Sequence, residues 1–307
     1  MYFLNLFLAL TMALPGYDFL TVPRSPRDPN AADVGIDAFH KNPAGLALSP
    51  NGVYAYQSFW FVDSKMTYLG ASIKKWGVRV SYFDFGKIEY QDEVPNDDEG
   101  AFFHPYAIEM ALDRGFKLDP ELSVGVGLAF FSEKIYRYDV QNFTLEGGIR
   151  YAPRKVKGLS VGFSFRYLGL KAGVRNEDFK MPTQGIFSVN YTRGNLGLSY
   201  SAEKIFTYET LEDTFTGTLS SVRNSLKDIA WIIDPGLRLG VTHSIKISYS
   251  FPYGIGAHVA YFQGADITPF SAGVSYQVRN FFVTYCYRVA RRGFDSPHLI
   301  GLVTTFP

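Results

Sequence analysis

Charged side chains recur along this chain of 307 residues within short segments in which polar and apolar residues alternate. Successive side chains of a β-strand point to opposite faces, so each segment is predicted to carry its charges on one inner face. Charges that face a protein interior must pair or be hydrated, which predicts an ion-pair lattice or, alternatively, a polar route for a solute. The polar positions assigned to the inner face are Arg79, Glu109, Asp113, Glu146, Arg150, Arg166, Glu203, Arg238, Lys246, Gln277 and Arg288.

Residues with the spacing of a known catalytic or metal site are hard to find in this sequence. There is no H-E-x-x-H motif, no P-loop and no C-x-x-C pair. The five histidines stand at no spacing that suits a metal ion, and the single cysteine, Cys286, excludes an intrachain disulfide. The 30 basic and 29 acidic residues nearly balance, so there is no reason to expect a nucleic acid as partner. We therefore expect no enzymatic activity, no metal site and no cofactor.

The alternating segments are about ten residues long and are separated by turn residues, as the strands of membrane barrels are. One of them, residues 158–170, places Phe163, Phe165 and Tyr167 on an apolar face, and Ser164 and Arg166 on a polar face. Aromatic residues make up 17% of the chain, yet the mean hydropathy is only −0.03. This combination is typical of a barrel with aromatic girdles and a polar lumen, and less typical of a soluble β-sandwich.

The sequence predicts an all-β fold, a transmembrane antiparallel β-barrel of about fourteen strands over residues 52–306. Short connections alternate with mostly longer ones, as the periplasmic turns and extracellular loops of bacterial outer-membrane barrels do. In the longest connection, apolar residues near 216–233 recur at helical spacing, which predicts a helix on the barrel rim or, alternatively, a lid or ligand-docking surface. The predicted strands cover residues 52–60, 65–74, 77–89, 105–117, 122–133, 141–151, 158–170, 184–192, 195–206, 237–251, 254–263, 269–278, 280–288 and 297–306.

Two segments precede the predicted barrel. Residues 1–16 form an apolar stretch too short for a mature membrane-spanning helix, which predicts a signal peptide or, alternatively, an ordinary N-terminal strand or helix. Residues 17–51 are predicted to form a plug inside the barrel, because Arg24, Arg27 and Asp28 are too polar to face lipid. A signal peptide followed by a barrel predicts localisation in the bacterial outer membrane, among membrane lipids.

The predicted plug contains the sequence Asn42-Pro43-Ala44-Gly45. Asparagine before proline favours a fixed turn, which here would lead into the first strand. The alternative interpretation is a latch of the plug, whose movement opens a path through the lumen.

Both ends of the chain carry short motifs that resemble those of one family. The motifs are Gly16, Phe19 and Leu20, followed by Arg24 and Arg27 and by Asn42-Pro43-Ala44-Gly45-Leu46, and, at the other end, Tyr285-Cys286-Tyr287, His298-Leu299-Ile300-Gly301-Leu302 and the terminal aromatic Phe306. They resemble the PorV/PorQ family of outer-membrane proteins, which are relatives of the FadL-type long-chain fatty acid channels. The arginine-containing stretch departs from that family in its many prolines.

The resemblance implies a fourteen-stranded barrel with an N-terminal plug, in agreement with the strand count from the alternation. It further implies passive transport across the outer membrane, with a hydrophobic or amphipathic small molecule as ligand. The alternative that it implies is an accessory barrel of a type IX protein secretion system, with secretion-system proteins as partners.

Overall fold

A computed structural model describes residues 19–20, 22–61, 63–89, 102–135, 138–169, 172–174, 177–179, 181–206, 241–264, 268–290 and 296–306. Three sequence-based predictions lie outside these residues: the signal peptide over residues 1–16, the helix near residues 216–233, and the inward placement of Arg238. All three stay predictions.

Most of the described residues lie in β-strands. In chain order they are β1 (Asn51–Phe59), β2 (Lys65–Ile73), β3 (Trp76–Asp84), β4 (Ile88–Glu89), β5 (Phe102–Phe103), β6 (Tyr106–Lys117), β7 (Leu122–Ile135), β8 (Tyr138–Tyr151), β9 (Leu159–Gly169), β10 (Ala172–Val174), β11 (Glu177–Phe179), β12 (Thr183–Arg193), β13 (Leu196–Phe206), β14 (Val241–Ser250), β15 (Ile255–Gln263), β16 (Phe270–Val278), β17 (Phe281–Val289) and β18 (His298–Phe306). Short 3₁₀ helices cover Ala38–His40, Pro43–Ala47 and Pro252–Gly254. No helix among the described residues is long and apolar enough to cross a membrane.

Fourteen of these strands form a closed antiparallel barrel, in which each strand pairs with the barrel strands before and after it in the chain. The ring closes where β1 pairs with β18, from Asn51 opposite Phe306 to Phe59 opposite His298. The strands β4 and β5, and likewise β10 and β11, form two small hairpins in the connections after β3 and β9. The predicted barrel of about fourteen strands is confirmed, and its closure leaves no unpaired strand edge in the lipid.

The outer wall of the barrel is apolar. Val126, Leu128 and Val259 lie near the middle of their strands and are between 49% and 56% exposed. Lipid tails can cover such a wall, whereas exposure of these apolar side chains to water would be unfavourable. Aromatic side chains gather at the strand ends, with Trp76, Phe116, Tyr151, Tyr249 and Phe251 at the end with short turns and Phe59, Tyr82, Tyr261, Phe270 and Tyr287 at the end with longer connections.

A β-bulge in β9 corrects one sequence-based assignment. Opposite Glu146 of β8, the strand carries two residues, Arg166 and Tyr167, and Tyr167 has a left-handed φ of 58°. Both side chains point into the lumen and are buried. Strict alternation predicts Tyr167 on the outer apolar face, and this prediction is wrong because the extra residue of the bulge shifts the phase of the strand.

The lipid-facing assignment can be tested at Leu128, in the middle of β7. We predict that Leu128→Arg lowers the free energy of unfolding by about 2–4 kcal/mol, the cost of a cation near the bilayer midplane. The uncharged control Leu128→Ala is expected to cost less, because it removes apolar contact with lipid without placing a charge there. Urea unfolding in lipid vesicles, followed by tryptophan fluorescence, measures both variants. An arginine variant as stable as the alanine variant would contradict the assignment.

Candidate functional site

Residues 22–50, here called the N-terminal segment, contact the inner wall of the barrel on several sides. The backbone N–H of Ala31 donates to Ser188 Oγ of β12 at 3.1 Å, and Ser271 of β16 donates to Asp28 Oδ2 at 2.8 Å. Other side-chain contacts join the segment to β6, β8 and β13. Because these strands are distributed around the ring, the contacts of the segment reach several sides of the inner wall. Its predicted role as a plug stays a prediction.

Glycines on the inner wall make room for this segment. A side chain at Gly125 of β7 would overlap the backbone of Pro43, and a side chain at Gly162 of β9 would overlap the backbone of Ala31. Glycine in a strand often marks a place where another part of the backbone approaches closely. The inner wall is therefore shaped to receive the segment.

Asn42 forms hydrogen bonds both within the N-terminal segment and to the barrel wall. Its Oδ1 accepts a hydrogen bond from the N–H of Ala44 at 2.9 Å, which caps the 3₁₀ helix Pro43–Ala47. Its Nδ2 donates to the carbonyl oxygens of Ala31 at 2.7 Å and of Ile149 in β8 at 3.1 Å. All four residues of the Asn-Pro-Ala-Gly motif are buried. This geometry is that of a fixed turn, while movement of the motif as a latch stays a prediction.

Six charged side chains form one buried group, here called the ion-pair layer. Its members are Arg24, Arg79, Glu109, Asp113, Glu146 and Arg166. Each of these side chains is at most 5% exposed. Arg24 comes from the N-terminal segment, and the other five come from β3, β6, β8 and β9. Three guanidinium groups meet three carboxyl groups, so the formal charges of the layer balance.

Glu109 lies at the centre of the ion-pair layer. Its Oε2 accepts a hydrogen bond from Arg24 Nη1 at 2.9 Å, and its Oε1 accepts hydrogen bonds from Arg79 Nε at 3.0 Å and Arg166 Nη2 at 3.4 Å. The hydroxyl of Tyr167, turned inward by the bulge, donates to Glu109 Oε2 at 2.9 Å and accepts from Arg166 Nη2 at 2.8 Å. A buried carboxylate is costly unless it is paired and hydrogen-bonded, and this one has four partners.

Glu146 and Asp113 complete the ion-pair layer. Arg79 Nη2 lies 2.6 Å and Arg166 Nη2 lies 3.1 Å from Glu146 Oε1, while Arg79 Nη1 pairs with Asp113 Oδ2. The wall alone supplies two arginines and three carboxylates to the layer. Arg24 of the N-terminal segment therefore neutralises the one excess negative charge of the wall.

A second polar group, here called the Asp28 anchor, lies on the opposite wall. Arg288 pairs with Asp28 Oδ1, Ser271 donates to Oδ2, and Lys246 Nζ donates to the backbone oxygen of Asp28 at 2.7 Å. Burial by itself would raise the pKa of Asp28, but Arg288, His258 and Ser271 together hold it well below its usual range. Asp28 is therefore a carboxylate that binds the segment to a basic part of the wall.

Two predicted site residues lie apart from both groups. Arg27 pairs with Asp37 within the N-terminal segment at 3.3 Å, and its side chain is 42% exposed. Arg150 donates from Nε to the carbonyl oxygen of Ala32 at 2.8 Å. The predicted inner charges that the structure describes are thus divided among the ion-pair layer, the Asp28 anchor and single contacts with the segment.

Above the ion-pair layer, at the end with longer connections, the lumen is lined by an apolar group that the sequence did not single out. This upper apolar cluster consists of Phe19, Leu20, Val22, Met66, Phe83, Ala107, Phe131, Tyr167 and Met181. Phe83 and Phe131 are buried and lie near the ends of their strands. Alternation places both on the inner face, so the sequence could have predicted an apolar group there. The guanidinium carbon of Arg24 lies 4.5 Å from the centre of the Phe19 ring, so the cluster and the layer are in contact.

Residues 158–162 read G-x-S-x-G, a pattern that in hydrolases places a serine nucleophile on a strand-to-helix turn. In this chain Ser160 lies within β9, and its Oγ donates to the carbonyl oxygen of Ala32 at 3.2 Å. This serine is a contact between the wall and the N-terminal segment, without the geometry of an activated nucleophile.

Known proteins match this chain in structure at low sequence identity. No family model and no curated protein matches this sequence. The CymD monoaromatic hydrocarbon channel matches in structure with a TM-score of 0.59 at 13% identity, covering 90% of this chain and 94% of that one. The Pseudomonas putida toluene transporter TodX and a Pseudomonas aeruginosa FadL homologue both have a TM-score of 0.51. TodX is 10% identical, with 89% of this chain and 94% of TodX covered, and the FadL homologue is 11% identical, with 93% and 98% covered.

The fold is that of a FadL-like outer-membrane barrel. A closed barrel of this kind with an apolar outer wall places the chain in the bacterial outer membrane, as predicted. CymD is described as a channel and TodX as a transporter, and the expectation that the chain is not an enzyme stays a prediction. At this low identity the likeness establishes the fold, and the finer resemblance to the PorV/PorQ family and the role in type IX secretion stay predictions.

The ion-pair layer generates a prediction about two arginines of the N-terminal segment. We expect Arg24→Gln to lower the free energy of unfolding by about 3–5 kcal/mol, because it leaves Glu109 and its neighbours with an uncompensated buried charge. Arg27→Gln is the matched control and is expected to cost less, since the Arg27 side chain is 42% exposed, its pair with Asp37 lies within the segment, and Asp37 keeps the hydrogen bond from Ser25. Urea unfolding of both variants in detergent measures the difference. Equal effects would show that the Arg24 pair does not hold the segment.

Proposed function

We propose that the protein mediates passive transport of hydrophobic or amphipathic small molecules across the outer membrane, with the N-terminal segment as a plug of the lumen. The observation that carries this proposal is the upper apolar cluster, which faces the lumen at the end with longer connections. Its side chains are buried against one another, and those of the wall pack with Phe19, Leu20 and Val22, so a ligand would take the place of these three residues. An apolar lining with a few convergent polar groups is the usual chemistry of a small-molecule site.

Three structural neighbours support the proposal. CymD is described as a monoaromatic hydrocarbon channel, TodX as a toluene transporter, and the third protein as a FadL homologue. The cargo named for the first two is small and apolar, and it would suit the aromatic and aliphatic side chains of the upper apolar cluster.

The contact between the cluster and the ion-pair layer suggests how a ligand would move the plug. Phe19, Leu20 and Val22 belong to the cluster, and Arg24 follows them in the chain and packs against the Phe19 ring. A ligand that displaces Phe19 would pull on the Arg24–Glu109 pair. Separation of that pair leaves the buried Glu109 carboxylate without one of its cationic partners, which is unfavourable. The pair would therefore form again, and the plug would return to its place, after the ligand has passed.

The same arrangement predicts a lumen without a wide aqueous path. Porins that leave an open channel have about 16–18 strands, and this barrel has fourteen. In this proposal the N-terminal segment, which is buried over most of its length, fills part of that narrower lumen. Ions would therefore not pass until the segment moves.

The experiment that tests the proposal combines uptake with conductance. Cells that lack their own uptake barrels should accumulate radiolabelled toluene faster when they make this protein, and Phe131→Asn should abolish the gain. Phe130→Asn, which changes the neighbouring residue on the other face of β7, is the matched control and should retain uptake. In planar bilayers, the intact protein should conduct almost no current, and deletion of residues 22–50 should open a steady conductance.

Two outcomes would overturn the proposal. Large, porin-like conductance from the intact protein would contradict a plug. Uptake that is the same with and without the protein, or unchanged by Phe131→Asn, would contradict transport through the upper apolar cluster.

A further inference from the structure

We propose that Asp28, His258 and Cys286 bind a thiophilic metal ion, which would join the N-terminal segment to the barrel wall. The carboxylate oxygen, imidazole nitrogen and thiol sulfur that these residues offer lie within 4.8 Å of one another. Spacing in the sequence predicts no such site, because the three residues are far apart in the chain. The pairing of β15, β16 and β17 and the position of the segment bring them together.

The register of three neighbouring strands builds the site. His258 of β15 pairs with Gly273 of β16, and Gly273 pairs with Cys286 of β17, so all three share one inward-facing row. A side chain at Gly273 would overlap the His258 ring, so the ring lies over the glycine. Without a side chain at Gly273, nothing in this row separates the imidazole from the Cys286 thiol.

The donor atoms have coordination capacity left. His258 Nε2 is buried and lies 3.8 Å from the nearest Asp28 oxygen, which is beyond hydrogen-bond distance. Cys286 is fully buried, and its Sγ lies 3.8 Å from the carbonyl oxygen of Tyr287, a weak contact. One sulfur, one imidazole nitrogen and one carboxylate oxygen are ligands of zinc and copper, whereas magnesium and calcium take oxygen ligands.

The charges around the site favour one ion over another. Arg288 pairs with Asp28 Oδ1 and Lys246 donates to the Asp28 backbone oxygen, so two cations already face the site. When a metal ion binds, the Cys286 S–H proton leaves to solvent and an S–metal bond takes its place. This exchange leaves the net charge unchanged for Cu⁺ and raises it by one for Zn²⁺, so Cu⁺ is expected to bind more tightly. Arg288 would remain on Oδ1 and orient the carboxylate.

The experiment is a titration of the purified full-length protein in detergent, with Cu⁺ under anaerobic reducing conditions in one arm and Zn²⁺ in the other. Because Cys286 is the only cysteine, a sulfur-to-copper charge-transfer band reports on this site alone. We expect one equivalent of Cu⁺, loss of the band in Cys286→Ser, and an affinity at least about tenfold weaker in His258→Gln. His298→Gln, at a histidine that is bonded to Tyr285 on the outer face, is the matched control and should bind as the wild type does.

The result that would overturn the proposal is a wild-type protein that binds neither ion more tightly than Cys286→Ser does. Equal affinity in His258→Gln and the wild type would also overturn it. Heat-dependent gel mobility shows whether each variant is folded. If Cys286→Ser does not fold, X-ray absorption of the copper-loaded wild type decides the question, since the site requires one sulfur and at least one nitrogen ligand. The outcome is independent of whether the protein transports anything.

Discussion

Charge pairing in the lumen is the constraint on which the other features of this barrel depend. Neither lipid nor packed protein hydrates an ion, so each buried charge needs a partner. On one side of the ring, the wall contributes an excess of carboxylates around Glu109, and Arg24 of the N-terminal segment balances them. On the other side, the wall contributes Lys246 and Arg288, and Asp28 of the same segment faces them. The segment and the wall are therefore complementary in charge at two opposite places.

This complementarity explains local features that would otherwise be costly. Tyr167 adopts a left-handed backbone conformation in the β-bulge, and the hydroxyl that the bulge turns inward hydrogen-bonds to Glu109. Glycines at the wall positions nearest the segment let its backbone approach closely. Prolines at positions 23, 26 and 29 surround Arg24 and Asp28, and each one restricts the backbone of the free segment. A chain restricted in this way loses less conformational entropy when its two charges reach opposite walls.

The sequence predicted the barrel well because one rule governs it. A side-chain period of two, repeated over ten-residue segments, was enough to predict fourteen strands, and it placed Arg79, Glu109, Glu146 and Arg166 on the inner face. Alternation cannot tell which charges meet. The Arg24–Glu109 contact and the approach of His258 to Cys286 depend on strand register and ring closure. The inward turn of Tyr167 was also beyond prediction, because a bulge adds one residue without any change in the polarity pattern.

The central claim is that the N-terminal segment lies inside the lumen of the protein in its native membrane. Disulfide formation in intact cells tests it most directly, in a Cys286→Ser background that removes the natural thiol. Ala31 contacts Ser188 on the inner face of β12, and the preceding residue, Phe187, faces outward. We predict that oxidation links Ala31→Cys to Ser188→Cys and does not link Ala31→Cys to Phe187→Cys. Absence of the first link, or equal formation of both, would contradict the account.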